Sequence, residues 1–215
     1  MVATGPTRTE RVSRAEQRRR TRGALIDACR ELIARGEDIT MPAVAEAAGI
    51  SEATAYRHFS DLVTLVNESL AGLWPTPAQA LGEVAGSLDP VERIGFACEF
   101  LLGRVWTYRG AVRALIAATV VRPESASQRP GFRFGLIDAA IDPVADVAEP
   151  AARARIVQLK QDLAAIVSAE ALFSLTDLCG LEVDAAIASL VRSAQTITRV
   201  AVGDLAARGP EPAAG

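Results

Sequence analysis

The sequence predicts an all-α protein with an N-terminal three-helix helix-turn-helix domain and a larger C-terminal helical body. Apolar residues fill 50% of its 215 positions while aromatics fill only 5%, so the core must come mainly from Ala, Leu, Val and Ile. Alanine and leucine in such amounts favour helix. Apolar residues also recur at three- and four-residue spacing, and strict alternation is hard to find. Residues 40–62, TMPAVAEAAGISEATAYRHFSDL, add the most specific sign: two short helices around a tight turn.

Residues 1–17 read as a flexible basic arm, leading into a helix over about 14–35. Leu25, Ala28, Cys29 and Leu32 form the buried stripe of that helix, and Gly36 stops it. Thr40 can cap the next helix, whose inward face is Val44, Ala45 and Ala48. Gly49 supplies the backbone freedom for the turn, Ile50 plugs the corner, and Ser51 caps the second short helix. Ser60 or Asp61 caps a fourth helix through Leu62, Leu65, Val66, Leu70 and Leu73, ending near Trp74-Pro75. Prolines and glycines over 75–89 then close a first domain, expected over residues 18–76.

The body over 77–208 begins with a helix from Pro90 through Cys98 to Val105, then another over about 110–121. Residues 122–131 read as a loop, and a helix from Phe132 should be interrupted at Asp142-Pro143. Two long helices follow, over 150–180 and about 182–208, before a tail over 209–215. Both carry broad apolar faces, with Ile156, Leu163 and Val167 on one and Ile187, Leu190 and Ile197 on the other. The two faces exceed what one intramolecular partner can cover, so these residues are expected at a dimer interface.

The net charge of −3 hides an asymmetry. Residues 1–22 hold seven arginines against two glutamates, so one end suits a polyanion and the remainder is acidic. Cys29, Cys98 and Cys179 stand far apart in apolar helical contexts and read as core residues of a reducing compartment. No signal peptide and no apolar run of membrane-spanning length is apparent, which predicts a cytoplasmic protein without membrane contact. His58 is the single histidine, so neither a histidine-built zinc site nor a catalytic triad can be assembled, and no glycine-rich phosphate loop is present. The expectation is a non-enzyme with no metal and no cofactor.

Thr40, Ala48-Gly49-Ile50-Ser51, Thr54, Tyr56 and His58-Phe59 together resemble the TetR family of bacterial transcriptional regulators, over roughly residues 18–70. The resemblance implies an Ω-shaped homodimer whose third helix enters the major groove of a palindromic DNA operator. It implies that Thr40, Ser51, Tyr56 and His58 hold phosphates, while Glu52, Ala53, Ala55 and Arg57 face or flank base edges. The chemistry agrees: hydroxyls and a helix N-terminus suit phosphate, and arginine can read guanine through two donors. Arg18, Arg19, Arg20 and Arg22, beside the motif, are expected to contact DNA as well. Leu62 stands where the family often has a basic residue, and Glu52 and Ala53 where it often has Lys and Gly, which shifts backbone anchoring toward the arginines.

Phe96, Phe100, Trp106 and Tyr108, with Phe132, Phe134 and Phe173, are candidates to line a pocket for a small, largely apolar effector. Three readings follow. The first is a repressor released by such an effector. The second is a regulator whose second half only dimerises or binds protein, and the third a helical dimer or enzyme that does not use the DNA-binding domain.

Overall fold

With neither Gly nor Pro between residues 7 and 22, nothing interrupts helical backbone before the first apolar stripe. The first helix accordingly spans Arg8–Arg35 (α1), and Glu16 and Arg20 pair on it at 2.7 Å with i,i+4 spacing. This corrects the flexible arm expected over 1–17: the chain is helical from Arg8 onward. The computed structural model describes residues 8–121, 131–145 and 150–207. Among them are eleven α-helices, one 3₁₀ turn, one π-turn and no strand. The loop expected over 122–131 lies outside the described residues except for Gly131, and the tail over 209–215 lies wholly outside them.

The chain divides into two compact units, Met1–Trp74 with Tyr108–Arg129 and Pro75–Thr107 with Pro130–Gly215. In the first, α2 (Met41–Ala47), α3 (Glu52–His58) and α4 (Leu62–Leu70) pack on α1. Leu25, Cys29, Leu32, Val44, Phe59 and Leu65 share its core. Asp61, not Ser60, caps α4 by accepting from the Thr64 amide at 2.8 Å. That helix ends at Leu70 rather than Leu73, because Ala71 leaves helical backbone at ψ 129°. Leu73 and Trp74 turn instead onto the core.

Helix α7 (Arg109–Val121) also belongs to this first unit and not to the second domain expected over 77–208. It packs on α4, and Ala111 and Leu115 complete the core. Gly110 makes this possible, since any Cβ there would collide with the Glu37 carbonyl oxygen.

The second unit contains α5 (Pro77–Ala80), α6 (Pro90–Thr107), α8 (Phe132–Ala145), α9 (Pro150–Ile166), α10 (Ala169–Phe173) and α11 (Val183–Ala207). Helix α6 lies between α11 and α8, and α9 packs on α8 and α11. Lys160, the one lysine of the chain, ties α9 to α8 through Asp142 at 2.8 Å and Asp138 at 2.9 Å. Burial opposes its charge, but the two carboxylates outweigh that and raise its pKa.

Three expectations change here. Helix α8 continues through Pro143 to Ala145 because Arg93 satisfies the carbonyl that the proline cannot. The helix expected over 150–180 breaks after Ile166, where Ser168 caps α10 by accepting from the Ala171 amide at 3.1 Å. Cys29 and Cys98 are core residues, with burial pushing the Cys98 thiol up to about 12, but Cys179 is exposed.

Candidate nucleic-acid interface

The helix-turn-helix follows from its caps. Thr40 accepts from the Ala43 amide at 3.2 Å and starts α2, with Pro42 in the first turn where its missing donor costs nothing. Gly49 then takes φ +64°, a left-handed conformation that other residues rarely adopt. The Ile50 amide bonds back to the Ala45 carbonyl at 2.9 Å, which closes the turn. Ser51 starts α3 by accepting from the Thr54 amide at 3.3 Å.

Two turns of helix leave a single solvent face. Glu52, Ala53, Tyr56 and Arg57 are exposed, Tyr56 at 49%. Ala55 is 0% exposed and packs in the core, as does Phe59 four residues on. The expectation that Ala55 faces or flanks base edges is therefore corrected, since helical periodicity turns it inward.

Thr54 was absent from the expected contacts, yet it organises this face. Its Oγ1 accepts from Ser51 Oγ at 2.9 Å and from Arg57 Nη2 at 2.6 Å, which lays the guanidinium along the exposed surface of α3. The i,i+3 spacing of Ser51, Thr54 and Arg57 was the available signal. Glu52 in the first turn and Arg57 in the last complement the helix dipole.

Arginines of α1 converge on the end of α3. Burial first, then the positive charges of Arg18, Arg22 and Arg57, hold the His58 pKa below its ordinary 6.5. Its Nδ1 is buried and has no hydrogen-bond partner among the described residues. Ala15, Arg18, Arg19 and Arg22 line an open concavity on α1. The four arginines differ in what they can do. Arg18 and Arg19 are exposed, and Arg20 is partly occupied by Glu16. Arg22 is turned inward: Nη1 donates to the His58 carbonyl at 2.6 Å, Nη2 bonds Glu68, and the guanidinium covers the Phe59 ring at 4.0 Å.

The aromatic residues nominated for a pocket do not gather in one place. Phe100 and Phe132 meet at 6.4 Å between ring centres, and Phe173 is buried. Phe96 and Trp106 are half-buried on α6. Phe134 is 51% exposed beneath Arg133, and Tyr108 packs on Trp74 in the first unit.

Four of the six residues expected at a dimer interface need correction. Ile156, Leu163, Val167 and Leu190 are buried within a single chain, and Ile187 and Ile197 are half-buried. The four buried residues serve the chain as intramolecular core. Among the described residues from 150 onward, the large apolar side chains left exposed are Val157, Leu178 and Val200. Among the described residues no group of His, Cys, Asp and Glu could hold a metal, and no helix is long and apolar enough to cross a membrane.

Residues 25–68, from the first buried leucine of α1 to Glu68 of α4, match the family model described as bacterial regulatory proteins, tetR family. Comparison with curated proteins finds no match. Comparison with solved structures finds none either.

Proposed function

On the premise that residues 25–68 place this chain in the tetR family, as a DNA-binding transcriptional regulator, we propose that it is a homodimeric repressor reading a two-fold symmetric operator. One observation carries the reading. A single face of α3 presents Glu52, Ala53, Tyr56 and Arg57, beside the exposed Arg18 and Arg19 of α1. A helix of this kind fits the major groove, and flanking arginines suit the phosphates on either side.

Within that face the chemistry divides. Arg57 offers two donors to a guanine edge, Glu52 can accept from a cytosine amine, and Ala53 leaves room for a thymine methyl. The hydroxyls of Thr40, Ser51 and Tyr56, with His58, Arg18 and Arg19, take phosphates. Dimerisation uses the outer faces of α9 and α11, where Val157 and Val200 remain exposed. A small apolar effector would bind in the second unit and favour a conformation unable to hold DNA.

The scatter of the nominated aromatics, with Tyr108 in the first unit and Phe134 exposed, favours a second reading in which the second unit only dimerises. The purified protein should retain duplexes from a random pool, and the enriched sequence should be palindromic. A thermal-shift screen of apolar compounds separates the two readings. Any genuine effector must lose affinity for the protein in the presence of the selected duplex by the factor it imposes on DNA.

A further inference from the structure

Helix α3 has only seven residues, too few to hold a helical conformation or direction by itself. Its orientation comes from its attachments. Ser51 caps the start, Ala55 and Phe59 enter the core, and one guanidinium grips the exit. That guanidinium belongs to Arg22 of α1. Its Nη1 donates to the carbonyl of His58, one of the terminal carbonyls that the helix leaves without an internal donor. Its Nη2 bonds the Glu68 carboxylate on α4, and its guanidinium carbon lies over the Phe59 ring, 4.0 Å from the ring centre. One side chain therefore joins α1, the end of α3 and α4.

We propose that Arg22 and Glu68 are positioning residues that set the angle at which α3 presents Arg57 and Glu52 to DNA, rather than groups that touch it. The inference rests on the DNA-reading function argued above. A planar fork is needed for the task, because lysine cannot serve a carbonyl and a carboxylate while stacking on a ring. Glu68 has a distinct part in it: its charge draws one end of the fork away from any phosphate and fixes the plane over Phe59. Two donors already engaged within the fold distinguish Arg22 from Arg18 and Arg19 on the same helix.

The test compares wild type with Glu68→Gln, Arg22→Lys and Arg22→Ala on two duplexes, the one selected by wild type from a random pool and a scrambled version. Positioning predicts that Glu68→Gln and Arg22→Lys lower the ratio of the two affinities by about 5- to 100-fold, the scale of one misdirected base contact. Binding to the scrambled duplex and its salt slope stay as in wild type, which a simple loss of folded protein could not produce. The proposal is overturned if Glu68→Gln tightens both duplexes alike, or if Arg22→Lys is silent while Arg22→Ala weakens both. A salt slope reduced by about 0.9 per subunit in Arg22→Ala would mark a phosphate contact instead. If wild type selects no duplex, the DNA-reading function itself has failed. Amide hydrogen exchange then still decides the positioning role: Glu68→Gln should speed exchange at residues 56–59 while leaving α2 unchanged, and no acceleration there overturns it.

Discussion

Arg93 on α6 occupies the place that Pro143 leaves open in α8. A proline cannot donate to the carbonyl four residues before it, and Arg93 Nη2 donates to that carbonyl, Ala139, at 2.7 Å. Its Nε reaches the Ala140 carbonyl at 3.2 Å, and Nη1 reaches those of Val84 and Ser87 at 2.9 and 3.1 Å. A buried cation thus joins three segments of the second unit through backbone oxygens. Replacing it by methionine strands several buried acceptors and should cost about 3 kcal/mol or more. Pro143→Ala restores a donor to Ala139, so it should reduce the cost of Arg93→Met. Chemical denaturation of the four proteins in this cycle checks the coupling; strictly additive effects would contradict it.

His58 should make both stability and DNA binding depend on pH, in opposite directions. Its folded pKa lies below the ordinary 6.5, through burial and then Arg18, Arg22 and Arg57. The fold therefore favours the neutral ring. Its contribution to stability is complete above about pH 6.5 and is lost as pH falls toward the lower folded value. A DNA phosphate at this corner would offset the arginine charges and favour the imidazolium, so affinity should rise on acidification through the same range. Affinity and melting temperature followed from about pH 7.5 to 5.5, in wild type and His58→Gln, separate these effects. Identical pH profiles for the two proteins would remove His58 from the interface.

Arg18 and Arg19 should set how steeply binding falls with salt. Each exposed arginine that neutralises a phosphate adds about 0.9 to the magnitude of the slope. Arg18→Gln and Arg19→Gln should each lower it by about that amount per subunit, with the preferred sequence unchanged. A changed sequence preference would mean that these arginines reach base edges.

Substitutions in the last helix should separate folding from assembly. Leu190 is buried and Val200 is 59% exposed. Leu190→Glu forces a carboxylate into the core and should give unfolded or aggregated protein. Val200→Asp should leave the melting temperature of the chain nearly intact but yield monomer by light scattering. A dimeric Val200→Asp protein would place the association surface elsewhere.

Much of the DNA-binding unit was legible because its signals are local. Thr40, Gly49 and Ser51 announce their conformations by residue type, and the caps they form match the structure. Ala55 could also have been placed inside, since it stands four residues before Phe59 and shares its side of the helix. Arg22 carried a similar hint, lying three residues before Leu25 and seven before Cys29 on the buried stripe of α1. A run of four arginines and a threonine hid it. Other features depend on partners distant in sequence. Nothing near Pro143 reveals that Arg93 will supply the missing donor. Nor does the periodicity of Ile156, Leu163 and Leu190 say whether their apolar stripe meets its own chain or a second copy.

In the proposed function the exposed face of α3 reads DNA sequence, with Arg57 as its main reader. Arg57 and Tyr56 are neighbours on that face, so exchanging one at a time isolates base reading from phosphate holding. The decisive measurement is selection from a random duplex pool by wild type, Arg57→Ala and Tyr56→Phe. Wild type should enrich a palindrome, and Arg57→Ala should lose preference at one base of each half-site at a cost of about 1–3 kcal/mol. Tyr56→Phe should enrich the wild-type sequence with uniformly weaker binding. Folded wild-type protein that enriches nothing would contradict the proposed function, as would an Arg57→Ala protein that leaves the motif intact while Tyr56→Phe alters it.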